Sequence, residues 1–308
     1  MASVSSSRLS RLAVIANPVA GPVKRRMTTD QITDLARNVC AAAGVECEVV
    51  FTGHRGHARG LAEAFVRDGW SLIVAWGGDG TINEVASALV RQSVVLGIVP
   101  SGSGNGLARE LGISQRAEEA LATVIRGRDR LIDVGKLGGR LFINLAGVGL
   151  GVSVAELFGR LTGRGLARYV YATLRQLLTY VPQRYRLAIG PETIETTAFL
   201  VELANGRQYG NGAIIAPGAR LDNGFFDVVV IREMSLPRAL LGLLRLFNGT
   251  VDSHPRVSIH VAPGITISSD RPMPFHVDGE VVPGETSLTG TVLASSLWVR
   301  VPAGTERT

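Results

Sequence analysis

Three times before residue 110 the chain runs from an uninterrupted apolar stretch into a glycine-rich turn and then into a helical pattern. The first is Leu12–Ala16 followed by Asn17-Pro18-Val19-Ala20-Gly21. The second is Leu72–Trp76 followed by Gly77-Gly78-Asp79-Gly80-Thr81, and the third is Val94–Val99 followed by Pro100-Ser101-Gly102-Ser103-Gly104-Asn105-Gly106. Short apolar runs without alternation fit strands buried on both faces of a parallel sheet. Turns at the carboxyl ends of such strands are where open α/β sheets bind ligands, and successive ones converge on one sheet edge. Glycine lets a backbone approach a phosphate closely and aim N–H groups at it, while the next helix offers its positive end.

Asp79 is the odd residue in such a cradle. Phosphate repels a carboxylate unless a cation bridges the two or the acid accepts a substrate proton, and both belong to phosphoryl transfer. The plain alternative is a Gly-Asp-Gly turn in which Asp79 bonds its own backbone. The first turn has its own plain alternative, an Asn-Pro turn followed by the solvated basic trio Lys24, Arg25 and Arg26. With Ile82–Val90 read as helix, the central turn spans Gly77–Thr81.

Between these turns Thr29–Ala43 is an amphipathic helix stopped by Gly44, Val45–Phe51 is a strand ending at Thr52, and Gly56-His57-Ala58 opens a further helix. His57 is read as a local hydrogen-bonding residue that could also touch a nucleotide. After Gly135 the pattern changes to strands with turn punctuation: Arg140–Leu145, Tyr185–Ile189, Thr196–Ala204, Gly224–Ile231, Val257–Val261, Ile265–Ser268 and Phe275–Val277. The expectation is two domains, 1–133 and 134–308, which suits 308 residues of globular composition (46% hydrophobic, 19% charged).

A net charge of +6 favours an anionic partner, while 6% aromatic residues and no basic-aromatic stripe argue against nucleic acid. Cys40 and Cys47 read as free thiols of a reducing cytosol. The serine- and arginine-bearing start (Ser3, Ser5, Ser6, Ser7, Arg8, Arg11) reads as a frayed tail, its apolar run too short for a signal core; a targeting role is countered by the strand that follows. The apolar window Leu141–Phe158 is broken by Asn144, Ser153 and Glu156, so no transmembrane segment is expected. The five histidines lack ligand spacing, so no zinc site is expected.

Taken together, NPVAG, GGDGTINE and PSGSGNGLARELGI, followed by FINLAGVGLG, APGARLDNGFFDVVVI and HVDGE, resemble the diacylglycerol kinase catalytic family, which includes bacterial lipid kinases and sphingosine kinases. The resemblance spans roughly residues 12–300. It implies an α/β nucleotide-binding domain of the NAD kinase and phosphofructokinase kind, then an antiparallel β-sandwich domain. The active site and lipid pocket are expected between them, with the last ~15 residues free to pack back on the first domain. It also implies an ATP-dependent lipid kinase using Mg²⁺ on a diacylglycerol, sphingoid base or related lipid. The candidate nucleotide contacts are Asn17, Pro18, Ala20, Gly21, Thr52, Gly77, Gly78, Asp79, Gly80, Thr81, Asn83, Glu84, Ser101, Gly102, Ser103 and Asn105.

The matching Glu of the bacterial lipid kinases takes the proton from the substrate hydroxyl, a role Glu280 inherits through Asp278-Gly279-Glu280. In sphingosine kinases that role goes to the Asp of the central turn, so Asp79 stays a candidate base, its alternative being Mg²⁺ handling. Without the other motifs, Asp278-Gly279-Glu280 would be a hairpin turn with two exposed acids. The Arg220–Phe225 segment resembles one that holds a structural Mg²⁺, here through Asp222 or Asn223 with the carbonyls of Arg220 and Phe225. Asn223 stands where the family has Asp, so the metal binds weakly, shifts to Asp222, or is absent. Gly106 also departs from the diacylglycerol kinases, giving a Gly-Ser-Gly-Asn spelling like that of sphingosine kinases.

The spacing of Asn144–Gly151 is wrong for a dinucleotide fingerprint, and close strand-to-helix packing is expected instead. Leu236–Phe247, with Arg238 and Arg245, and the segment with Arg160, Arg164, Arg168 and Arg175 beside Tyr169 and Tyr171 are candidate interfacial helices; the alternative is that each covers the sandwich core. A cytoplasmic protein touching membrane peripherally is expected, with a homodimer allowed. Two rivals stay open, an NAD kinase-type enzyme of soluble metabolites and a lipid-binding regulator without catalysis.

Overall fold

The structure is a computed structural model that describes residues 9–21, 26–161, 166–210 and 212–304. The chain divides into two compact units, Met1–Ile132 with Ser296–Thr308, and Asp133–Ser295.

In the first unit β1 (Arg11–Ala16), α1 (Thr29–Ala42), β2 (Glu46–Phe51), α2 (His57–Arg67), β3 (Leu72–Gly77), α3 (Asp79–Leu89) and β4 (Val95–Pro100) alternate. They are followed by the short α4 (Gly106–Glu110), α5 (Ala117–Arg126) and the start of β5 (Arg128–Leu137). The strands are parallel in the order β2-β1-β3-β4. Every residue of β3 and β4 is buried, which is why their sequences do not alternate, whereas edge strand β2 is half-exposed. At the chain's end, Trp298 and Val299 add a parallel strand beside Val95 and Leu96.

The second unit comprises β6 (Arg140–Phe142), β7 (Leu145–Gly149), α6 (Leu150–Arg160), α7 (Leu166–Thr179), β8 (Gln183–Ile189), β9 (Glu192–Ala204), β10 (Gln208–Gly210) and β11 (Ala213–Ile214). After these come β12 (Phe226–Arg232), α8 (Leu236–Asn248), β13 (Val257–Ala262), β14 (Gly264–Ser268), β15 (Phe275–Val277), β16 (Glu280–Val282) and β17 (Ser287–Val301), which ends in the first unit. It is antiparallel throughout, organised by β9. The first half of that strand pairs with β8 and the second with β7 and β12. Phe142, Phe226, Phe275, Tyr185 and Leu203 fill the sandwich core, and a second apolar layer lies between the sheet and α6, α7 and α8.

Two expectations are corrected. The central turn is shorter than Gly77–Thr81, because α3 starts at Asp79: Gly78 is extended at the cap, and an acid suits the first helical turn. The stretch Arg140–Leu145 is not one strand but β6 and β7, broken at Ile143 and Asn144. Asp278 takes the N–H groups of Ile143, Asn144 and Leu145 at 2.9, 2.9 and 3.0 Å, so they cannot join a ladder.

Candidate active site and lipid cavity

The order β2-β1-β3-β4 reverses direction between β1 and β3, since α1 leads outward from β1 to β2 and α3 leads the other way from β3 to β4. The carboxyl ends of β1 and β3 therefore flank the switch point, the crevice in which such sheets hold ligands. The turns after both strands lie there and interlock with the turn after β4. Asn17 N–H donates to the Trp76 carbonyl (2.9 Å), and Ser101 N–H donates to the Gly77 carbonyl (2.8 Å). The Asn17 side-chain amide donates to the Thr81 hydroxyl (3.2 Å), and its oxygen accepts from Val19 N–H (3.1 Å). Gly21 adopts φ +80°, where a side chain would strike the Ser101 carbonyl. A Cβ on Gly102 would sit 2.6 Å from Gly78 Cα and 2.7 Å from Asn105 Oδ1, so the second and third turns approach backbone to backbone.

Asp79 is the clasp. Its Oδ2 accepts from Asn105 N–H and its Oδ1 from Gly106 N–H, both at 2.8 Å. Asp79 thereby holds the third turn in place. Gly78 has no side chain to cap the amino end of α3, an end whose dipole favours an anion. Ser101 Oγ is buried without a hydrogen-bond partner among the described residues. Such a cradle fits phosphate oxygens. Pro18, Ala20 and Ser103 lie half-buried in these turns, and Gly80 is exposed. Arg26 and Arg109 donate to the carbonyls of Gly21 and Gly104, placing cations beside the cradle. Lys24 and Arg25 lie outside the described residues.

Other candidates have local partners. Glu84 uses both carboxylate oxygens on the amino end of α2, accepting from Gly56 and Ala58 N–H (2.8 and 3.1 Å). Thr52 N–H donates to Ala16, Asn83 Oδ1 accepts from Ser87, and His57 Nδ1 accepts from Gly53 N–H.

The Arg220–Phe225 turn is closed by its own side chains. Asn223 Oδ1 accepts from Phe225 N–H (3.0 Å), closing an Asx turn, and Asp222 faces the Arg220 guanidinium at 3.7 Å. Among the described residues no group of three or more His, Cys, Asp or Glu could hold a metal ion. The turn is instead held by Asp133, which sequence reading missed. Its buried carboxylate accepts from Gly224 N–H (2.6 Å) and Ser295 N–H (2.7 Å).

In the second unit, Asp278 and Gly279 form the two-residue turn between β15 and β16, both at positive φ as a type I′ turn needs. Asp278 is thus neither exposed nor idle: it fastens the start of β7. Glu280 opens β16, half-buried and opposite Val277.

Between the sheet and helices α6, α7 and α8 lies an apolar cavity of about 390 Å³, lined among others by Val154, Leu177, Phe199, Ala239 and Leu243. That volume is in the range of ligand pockets, about 300–1,000 Å³. Gly151 and Tyr209 also line it, and Tyr209 donates to the wholly buried Glu202 (2.9 Å). Burial, then the Glu202 charge, holds the Tyr209 hydroxyl well above the usual phenol value. Burial lowers His276, but the Glu202 carboxylate 3.0 Å away, together with the Asp278 charge, more than offsets it and raises the imidazole above its ordinary value. Sequence reading missed Glu202; the available signal was one acid in the run Phe199–Ala204.

A family model described as diacylglycerol kinase catalytic domain matches residues 11–137, and one described as YegS C-terminal NAD kinase beta sandwich-like domain matches 145–301. A protein of Chromohalobacter salexigens named probable lipid kinase YegS-like is 31% identical over 246 residues, 77% of this chain and 78% of that one. A protein named diacylglycerol kinase from Staphylococcus carnosus is 26% identical over 275 residues, 88% of each chain. The crystal structure of a diacylglycerol kinase from Bacillus anthracis superposes with a TM-score of 0.73 at 20% identity, covering 96% of this chain and 98% of that one.

Proposed function

This chain belongs to the diacylglycerol kinase catalytic family, and on that premise we propose that it transfers the γ-phosphoryl group of ATP to a hydroxyl of a lipid. The observation that carries the reading is the interlock of three glycine-rich turns at the switch point around the uncapped amino end of α3. Backbone N–H groups there hold phosphate oxygens, and Asp79 keeps the third turn in place for them. Mg²⁺ arriving with ATP supplies neutralisation of the transferred charge; no step is routed through the Arg220–Phe225 turn. Glu280 takes the proton of the lipid hydroxyl as charge develops. Little covalent chemistry is asked of the protein, because positioning and fixed dipoles carry most of the acceleration.

The cavity of the second unit takes hydrocarbon. The described residues contain no helix long and apolar enough to cross a membrane. However, α7 and α8 leave Leu178, Leu241 and Leu244 more than 60% exposed, with Arg168, Arg175 and Arg238 at the surface beside them. Other residues of these helices, and Leu244 itself, line the cavity, so each helix both covers the core and offers an apolar surface for peripheral contact with an anionic membrane. Arg164 lies outside the described residues.

Incubation with γ-labelled ATP and a lipid extract, and separately with NAD, tests the reading. Label in lipid supports it, label in NAD supports a soluble-metabolite kinase, and no label supports a binding protein without catalysis. Asp79→Asn and Glu280→Gln are each expected to lower lipid labelling at least about a hundredfold with the fold retained; normal turnover in both would refute these roles.

A further inference from the structure

Strand register sets an ionisable row against the apolar layer of the second unit. On β9, Val201 and Leu203 enter the sandwich core, so Glu202 faces the helices. On β15, Phe275 and Val277 enter that core, so His276 faces the helices too. Gly147 of β7 stands between them, paired with His276 on one side and Glu202 on the other. Having no side chain, it lets the two meet at 3.0 Å, and a Cβ there would collide with the Glu202 carboxylate. Tyr209 completes the group through Glu202 Oε1.

A second missing side chain lets the cluster pack directly behind the cavity wall. A Cβ on Gly151 would clash with the Tyr209 hydroxyl, lie 2.6 Å from Glu202 Oε1 and 3.2 Å from His276 Nε2, and both Gly151 and Tyr209 line the cavity. Glu202 and His276 are 0% and 3% exposed, yet Glu202 Oε2 and His276 Nδ1 have no hydrogen-bond partner among the described residues. Apolar side chains would fill this space at least as stably as a buried ion pair, and unsatisfied buried groups in a native fold call for a reason.

We propose that Glu202, His276 and Tyr209 form a polar subsite in the wall of the cavity that hydrogen-bonds a neutral hydroxyl borne on the lipid, separate from the hydroxyl that is phosphorylated. The ligand class rests on the lipid-kinase reading. Two observations fix the details. Glu280 pairs with Val277 and so shares its face of the hairpin, opposite the face of His276, which makes the hydroxyl at Glu280 and the group at the cluster different ones. A hydroxyl can donate to Glu202 Oε2, or to the Tyr209 oxygen whose own proton stays on Glu202 Oε1, and brings no charge, whereas an ammonium adds a third charge to a buried pair that already contains an imidazole held toward its cationic form.

The test needs no ATP and no phosphorylatable group. Binding of dodecyl methyl ether, its β-hydroxy derivative and its β-amino derivative is measured by calorimetry on the full chain. The hydroxy ether is expected to bind wild type about tenfold tighter than the parent ether and tighter than the amine, a difference of the size of one well-made hydrogen bond. In Glu202→Gln and in Tyr209→Phe, each checked for a cooperative melt, the preference for the hydroxy ether should shrink to about threefold or less. Tyr209→Phe keeps the ring, and so decides the matter if Glu202→Gln does not fold. Equal binding of hydroxy and parent ether to wild type, tighter binding of the amine, or an undiminished preference in the folded variants would overturn the proposal. If the preference holds while ATP labels no lipid, the kinase reading falls and this one stands. Labelled lipid without the preference leaves the kinase reading standing and ends this one.

Discussion

On the proposed reading, the two units recognise by opposite means. The first presents main chain: its glycine turns bring N–H groups forward, and side chains such as Asn17 and Asp79 serve to hold backbone in place. The second presents side chains: an apolar cavity made by residues from five strands and three helices, with the Glu202–His276 pair packed behind Gly151 and Tyr209 of its wall. A phosphate is an anion that any properly bent backbone can bind, so its site needs conformation more than composition. A hydrocarbon chain has no directional group, so its site needs volume, which is assembled from distant residues.

The comparison can be broken most decisively in the first unit. Gly102→Ala pushes a methyl group against Gly78 and Asn105 and should reduce lipid labelling at least about a hundredfold, since displacements near 1 Å can cost that much. Lipid binding without ATP should stay within about twofold if the units recognise separately, and a parallel loss of both would erase the distinction. Next in size, Asp278→Ala strands the amides of Ile143, Asn144 and Leu145 and should cost about 3 kcal/mol in urea unfolding; a change near zero would mean that the turn is held otherwise. Ala239→Phe fills the cavity and should raise the lipid KM about tenfold while leaving the ATP KM alone; an unchanged lipid KM would place the hydrocarbon elsewhere.

The smallest effect is a pH dependence. Burial opposes the His276 imidazolium, and Glu202 together with the Asp278 charge more than offsets this, so the folded value lies above the ordinary 6.5. The resulting stabilisation is complete below 6.5 and is lost as pH rises through the folded value. The stability advantage of wild type over His276→Gln should therefore shrink as pH is raised from about 6 to about 8, whereas His254, common to both proteins, cancels. A growing advantage would reverse the assigned charge state.

Much of the first unit was legible because its signals are local. Strands buried on both faces leave unbroken apolar runs, and turns requiring glycine announce themselves, so β1, β3, β4 and their turns stand where the sequence places them. The start of α3 was not legible, because Gly78-Asp79-Gly80 suits a loop as well as a cap and only the extended Gly78 decides it. The second unit was legible as strands but not as a site. Asp278-Gly279 announced a hairpin without revealing that Asp278 holds β7, a partner more than 130 residues away. Asn223 likewise gave no sign in sequence that its side chain closes its own turn onto Phe225 N–H.

Sequence alone determined that glycine punctuates the ends of buried strands, and with it the α/β character of the first unit and the place of its glycine-rich turns. Tertiary structure alone decided that Gly147 and Gly151 leave room for Glu202, His276 and Tyr209 to meet beside a cavity. The reason is range. A turn depends on dihedral angles of neighbours in the chain, whereas a cavity wall depends on which residues strand register brings opposite one another, and no short window of sequence contains that register.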